Sequence, residues 1–506
     1  MQITMFAAID IGSYEVGMKI FELSSKAGMK QVDFIRHRIE LGKDAYVLEK
    51  IGCDLTDKLC NVLMDFVEIM KSYQVDAYRA CATSAVREAK NTIMLLDQIR
   101  LRTGLKVEVL SNSEQRFLRY KSIAYRVKNF DKIIQTSTAI LDVGGGSTQF
   151  SLYDKDTLIA TQNIRMGSLR IREKLAGLSK YTTNIQALVE ELVNSDISNL
   201  YSQYVRDYTI KNIIAVGDYL NYMQSDSGDY ITREKFLSSF ENVFRLTTDE
   251  IAAKLFIPEE EASLLIPSLI IYKRIIEETG AEFIWTPGVK LSDGIAYDYA
   301  ENNKIIKVKH NFEHDIIASA QNIGKRYMNN KEHTKMLEEL SLKIFDSTVK
   351  IHGMGERERL LLQIAVILHD CGKYISLSAA AECSYNIIMA TEIIGLSHLE
   401  RQIIANAVKF NTTEFVYYDA LAGKIDKASY ILLEKLTAIL RVSNALDRSH
   451  RQKFKNVKVV LKDKELIITV DTVDNIVLEK GLFGEKAEFF EEVFSIKPVI
   501  KQNKKC

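Results

Sequence analysis

Twice along this chain an apolar run ends in Asp, one apolar residue, glycine and a small hydroxyl residue: AIDIGS at 8–13 and LDVGGGST at 141–148. Strand-like sequence flanks both copies, MFAAIDIG before VGMKIFELSS and TAILDVG before TQFSLYD, so each reads as strand, tight turn, strand. A chain that repeats this unit is expected to fold as two related α/β halves facing a cleft. Helical periods separate the strands, at 48–72 and in SEQRFLRYKSIAYRVKN (113–129). VDAYRACATSAVREAKN (75–91) reads as a strand running into a helix, with Thr83 or Ser84 as the cap.

The rest of the chain has another character. Seven of the eight histidines stand at or after His310, and no proline falls between Pro287 and Pro498. HDIIASAQNIGKRYMNN, HTKMLEELSLKIFDSTVKI, RERLLLQIAVILHDCGKYI, SHLERQIIANAVKF and ASYILLEKLTAILRVSNALDRSH all have helical spacing, which predicts a helical bundle. NVKVVLKDKELIITVDT then changes to a period of two, with KDKE as a hairpin turn, and KQNKKC reads as a flexible tail. At 506 residues the chain is too long for one core. The expected divisions are 1–127 and 128–305 for the two halves, 310–450 for the helical domain and 451–506 for a small α/β appendix. Net charge is zero, so no broad basic surface for nucleic acid is expected. No run of about 18 apolar residues suggests a membrane span, and the start lacks the marks of a signal peptide. Six scattered cysteines without CxxC spacing read as free thiols in a reducing cytoplasm.

The glycine segments carry the first chemistry. Glycines let backbone N–H groups converge on a phosphate, and neighbouring hydroxyls add donors. Asp142 followed by Gly144, Gly145, Gly146, Ser147 and Thr148 makes one such cradle, and Asp10 with Gly12 and Ser13 a shorter one. Asp10 and Asp142, each at a strand end, are the expected Mg²⁺ carboxylates.

In order along the chain, AIDIGS, TSAVREAKN (83–91), the strand and SxxE helix at 109–120, LDVGGGST, MGSLR (166–170) and SDGIAYD (292–298) resemble the Ppx/GppA family of exopolyphosphatases and guanosine-pentaphosphate phosphohydrolases. VILHDCGKYIS (366–376) and LRVSNALDRSH (440–450) resemble the HD-type helical extension of many members. The resemblance implies an actin-like, sugar-kinase-like fold of two ribonuclease-H-like halves around a phosphate-binding cleft. It implies a hydrolase of inorganic polyphosphate or pppGpp, a link to the stringent response, and a homodimer. Arg87, on the arginine of TSAVREA, is implied as a phosphate contact. His333, His369, Asp370 and Asp447 match the HD-type metal ligands, enough for one Mn²⁺ or Fe²⁺ ion.

The chain departs from the family pattern where protons move. The position of the family's catalytic glutamate is Gln115, the glycine before it is Asn112, and the second loop ends in Gln149 instead of Glu. Glutamine orients a water but cannot take its proton. Glu114 is the neighbouring carboxylate expected to substitute. Ala380, Ala381, Glu382, Cys383 and Asn411 stand where further HD-type histidines are usual, so ligands for a second metal are missing. Two functions follow: a weakened phosphoanhydride hydrolase, or a non-catalytic receptor for polyphosphate or guanosine penta- or tetraphosphate. An actin-like ATPase or sugar kinase is disfavoured by Val216–Gly217–Asp218–Tyr219, which offers poor glycine cover for an adenine nucleotide.

Overall fold

A strand whose residues are apolar on both faces must be covered on both, and the central strands here show that requirement. In the computed structural model, β1 (Thr4–Ile11) turns Ala7, Ile9 and Ile11 into a core with Leu59, Leu63 and Phe66, while Phe6 and Ala8 face Leu118, Leu291 and Ile295. The structure describes residues 3–503 except 177, 179–183, 218–219, 221–229, 308–309, 422 and 424. Asp218 and Tyr219 of the kinase comparison, and Lys504, Lys505 and Cys506 of the tail, lie outside the described residues. The chain divides into two compact units, Met1–Asp315 and Ile316–Cys506.

The first unit holds two sheets built on one plan. In the first, β1 pairs antiparallel with β2 (Glu15–Ser24), which pairs antiparallel with β3 (Gly28–Arg38). On its other side β1 runs parallel to β4 (Ala77–Ala82), followed by β5 (Val107–Val109). In the second, β6 (Thr138–Val143) is flanked by antiparallel β7 (Thr148–Asp154) and then β8 (Thr157–Ile164). On its other side come parallel β9 (Asn212–Val216), then β11 (Phe283–Trp285) and the short antiparallel edge β10 (Tyr230–Thr232). The registers coincide: Asp10 pairs with Gly17 and Asp142 with Gln149, each one residue from its strand end. The echo in the sequence is therefore a duplicated sheet topology.

Several expectations change. The helix Leu291–Asn302 was placed in the half 128–305 by sequence, yet Leu291, Ile295, Ala296 and Ala300 pack against Phe6, Ala8, Phe21 and Leu23 of the first sheet. Lys19, buried on β2, holds Asp293 of that helix with both carboxylate oxygens at 2.8 Å. The break between units falls at Asp315/Ile316, not near 305. The helix expected from residue 48 starts at Cys53. Thr83 stands at the N-cap position of the helix Ser84–Glu88, but its hydroxyl donates to Ile11 O at 3.3 Å instead of capping.

The second unit joins helices Lys331–His352, Glu356–Leu368, Ala380–Ala390, His398–Phe410 and Lys427–Leu446 to a three-stranded sheet. That sheet pairs β12 (Val457–Lys462) antiparallel with β13 (Glu465–Asp471), and β13 parallel with β14 (Lys497–Asn503). The turn falls at Asp463 and Lys464, within KDKE. The segment read as a tail is a strand as far as Asn503, because β13 offers it a parallel ladder. Nor do 451–506 stand apart: Lys343 and Ser347 donate to the carbonyls of Val457 and Val459, tying β12 to the helix Lys331–His352.

At the end of the first unit His310 is nearly buried, with Nδ1 at 2.7 Å from Asp131 and Nε2 at 2.7 Å from Asp315. Burial lowers its basicity, but the two carboxylates outweigh burial and hold its pKa above the usual value. The stabilisation is complete below the unfolded pKa of about 6.5 and lost as pH rises through the higher folded value. Asp131→Asn is therefore expected to lower the thermal unfolding temperature more at pH 5.5 than at pH 8.5. Equal losses at both would show that His310 is uncharged.

Candidate functional site

The turns after β1 and β6 close in the same way: Gly12 N–H donates to Glu15 O at 2.9 Å and Gly144 N–H to Ser147 O at 3.0 Å. They meet across a small polar cavity of about 140 Å³. Asp10, Gly12, Ser13, Asp142, Gly144, Gly145, Gly146, Ser147, Gln115 and Gln149 all line it. Because the Gly12 and Gly144 N–H groups are spent on the turns, ligand contact falls to the residues further round each loop.

The loop of the second sheet is pressed against the first. Tyr46 Oη, Ser13 Oγ and Ser84 Oγ lie 2.6, 2.9 and 3.0 Å apart in a hydroxyl triangle. A Cβ on Gly146 would come within 2.0 Å of the Tyr46 hydroxyl and 2.6 Å of Ser84 Oγ, so any larger residue there forces the loop or those side chains to shift. Burial raises the Tyr46 pKa, against hydrogen bonds from Ser13 and Ser84, and the phenol stays protonated. Arg170 stacks 3.9 Å from the Tyr46 ring and donates Nε–H to Gly146 O at 2.8 Å. Its Nη2 reaches both oxygens of Glu88 at 2.8 Å. MGSLR thus locks the loop to the helix Ser84–Glu88, a role its sequence did not announce.

Three predicted residues do not line the cavity. Glu114 caps its own helix, Asn112–Arg126: its carboxylate accepts from Ser111 N–H at 2.9 Å while Ser111 Oγ accepts from Glu114 N–H at 3.3 Å. The expectation that it replaces Gln115 as base meets this capping box. Arg87 donates to Leu110 O at 2.6 Å and to Asn112 Oδ1, bracing the approach to that helix. Thr148 is fully buried and donates to Met166 O at 2.6 Å, holding the MGSLR turn.

Two cations that sequence reasoning passed over line the cavity instead. Arg119 stands one helical turn after Gln115 on the same face, with Nε 3.1 Å from Asp142 Oδ2. Lys290 places Nζ 3.1 Å from Glu15. Gln115 Oε1 and Gln149 Oε1 are buried without a hydrogen-bond partner among the described residues. Gln149 Nε2 donates to Asn112 O at 3.4 Å. This donor set is a poor Mg²⁺ cage: a guanidinium sits on Asp142, and Gln115 and Gln149 offer neutral oxygens.

The helical unit gathers His333, His369 and Asp370, with potential ligand atoms all within 4.8 Å of one another. His333 Nδ1 is 2.8 Å from Asp447 and His369 Nδ1 donates to Val366 O at 2.6 Å, which leaves both Nε2 atoms buried without a hydrogen-bond partner among the described residues, with Asp370 Oδ1 3.5 Å from His369 Nε2. Burial pushes the His369 pKa down to about 4, so it is neutral at pH 7. Asp447, expected as a ligand, has its oxygens on His333, Gln452 N–H and Gln452 Nε2, and orients His333 from behind.

A family model described as the Ppx/GppA phosphatase family matches residues 20–303, and one for Ppx/GppA phosphatase domain III matches 317–485. A guanosine-5′-triphosphate,3′-diphosphate pyrophosphatase of Photobacterium profundum is 21% identical over 80% of each chain. A bifunctional 3-dehydroquinate synthase/phosphatase of Fusobacterium nucleatum is 24% identical over 180 residues, 33% of this chain and only 26% of that protein's length. The crystal structure of an exopolyphosphatase from Cytophaga hutchinsonii matches with a TM-score of 0.53 at 16% identity, covering 60% of this chain and all of that one, and so shares its fold. Among the described residues no helix is long and apolar enough to cross a membrane.

Gly146→Ala is expected to destabilise the first unit by about 1–3 kcal/mol in urea unfolding, because the loop has to leave Tyr46 and Ser84. A change near zero would show that the loop is not pressed against them.

Proposed function

We propose, from the premise that the chain belongs to the Ppx/GppA phosphatase family, that its cleft hydrolyses the terminal phosphoanhydride of a condensed phosphate, and does so slowly. Inorganic polyphosphate and the 5′ end of pppGpp are the candidate substrates. The observation that carries this reading is the convergence of both glycine loops on one cavity. Ser13 and the loop Gly145–Ser147 would hold the terminal phosphoryl group through hydroxyl and backbone donors. Arg119 and Lys290 would face the charge on its oxygens.

Water attacks the terminal phosphorus, the bond to the bridging oxygen breaks, the shortened chain leaves on that oxygen, and the water's proton passes to solvent or a phosphate oxygen, giving orthophosphate. Gln115 Oε1, buried and unpartnered among the described residues, would accept a hydrogen bond from that water and aim it. It cannot receive the proton, and general-base help is typically worth about 10²- to 10⁴-fold, which sets the expected deficit. Phosphatases of this family are metal-dependent as a class. Asp10 and Asp142 remain the carboxylates to which Mg²⁺ would go, but with Arg119 on Asp142 the charge here is met first by the protein's own cations.

A second reading is favoured by one observation: Glu114, the nearest carboxylate to Gln115 in sequence, is held in the capping box. On that reading the cleft binds polyphosphate or guanosine tetraphosphate without turnover. Orthophosphate release from long-chain polyphosphate and from pppGpp separates the two. Hydrolysis in the cleft predicts release that Asp142→Ala abolishes and Gln115→Glu raises by up to about 10²-fold. Absence of release from both substrates would leave the receptor reading.

For the helical unit we propose an HD-like site holding one Mn²⁺ or Fe²⁺ through His333, His369 and Asp370, supported by the two buried Nε2 atoms. Protein grown with Mn²⁺ is expected to keep that metal through gel filtration, and His369→Ala to lose it. Equal metal content in the two would exclude the site.

A further inference from the structure

Each carboxylate of the cleft whose pairing is described already has a cation of the protein on it. Glu15 has Lys290 at 3.1 Å and Arg36 at 3.4 Å, Glu261 has Arg38 at 3.9 Å, and Asp142 has Arg119 at 3.1 Å. The last is the most enclosed of these four pairs, with the Arg119 and Asp142 side chains only 19% and 9% exposed. At these depths the attraction is screened far less than at a surface. Arg119 is permanently charged, and it reaches the cavity from the same helical face as Gln115.

We propose that Arg119 is the resident cation of this cleft: seated on Asp142 where a divalent ion would otherwise go, it lets a condensed phosphate bind without metal. The inference rests on the reading that the cavity is a phosphate site. The neutral side chains at 115 and 149 belong to the same arrangement. A divalent ion balances extra carboxylates around a phosphate, whereas a single guanidinium does not. With Arg119 in place, two more negative charges would repel the ligand, and amides do not. Arg119 also stands in competition with any ion that approaches Asp142, so metal entry requires the guanidinium to move aside.

The test uses tripolyphosphate as the probe and isothermal titration calorimetry on the full chain, once in EDTA and once in excess Mg²⁺. Wild-type protein is expected to bind in both, with affinities within about threefold of each other. Arg119→Gln should weaken binding in EDTA by about tenfold or more, the scale of a lost charged hydrogen bond, and recover in Mg²⁺ because Asp142 is released for the ion. Arg119→Lys, which keeps the charge, should retain most of the EDTA binding and guards against a folding defect in the glutamine variant. Wild-type binding that requires Mg²⁺ would overturn the inference while leaving the phosphate cleft intact. So would Arg119→Gln binding in EDTA as well as wild type. Absence of wild-type binding in both buffers would overturn the phosphate reading itself, and the inference with it.

Discussion

Everything at the cleft depends on one close approach: the backbone of Gly146, in the loop after β6, lies against the hydroxyls of Tyr46 and Ser84 on the helices Leu41–Val47 and Ser84–Glu88. No side chain fits between them without a shift, so the two strand corners share one cavity wall. Arg170 fixes that approach from three sides at once, through the Gly146 carbonyl, the Tyr46 ring and Glu88. A guanidinium suits this position because its planar fork serves a carboxylate and a carbonyl while its face stacks on the ring.

The electrostatic plan is one of local cancellation. The chain has no net charge, and in the cleft Glu15, Asp142 and Glu261 each have a cation of the protein within 4 Å. What differs from a metal-centred design is the type of positive charge. A guanidinium on a side chain is delocalised, weakly hydrated and tied to a helix, whereas a hydrated ion can exchange and reorganise its shell. Holding a phosphate needs only charge and donors. Cleaving it also needs a proton acceptor beside the water, and the position facing the cavity at 115 does not provide one.

The sequence made the duplicated corner legible because strand, Asp and glycine turn are all local signals, and the registers of Asp10 and Asp142 agree with that reading. The ligand candidates of the helical unit came from the resemblance to the HD-type extension, and of these His333, His369 and Asp370 lie together. Long-range geometry was not. Glu114 and Gln115 are adjacent in sequence but point differently, since one helix position turns a side chain by roughly 100°. Nothing local in the sequence singles out Arg119; its one signal is the four-residue step from Gln115, which places both on one face. Arg87 and Thr148 have the residue types of phosphate contacts, yet serve carbonyl groups that a linear reading does not bring near them.

The helix Leu291–Asn302 covers the first sheet from the far end of the unit's sequence. A ribosome releasing this protein therefore exposes Phe6, Ala8, Phe21 and Leu23 long before their covering layer has been made. The first sheet is a provisional structure while the second is synthesised, with an apolar face open to chaperones or to other nascent chains. Its completion is a contact of very high sequence separation, the kind that slows folding most. The halves of the cleft are thus interleaved in time: the earlier half is finished only after the later one.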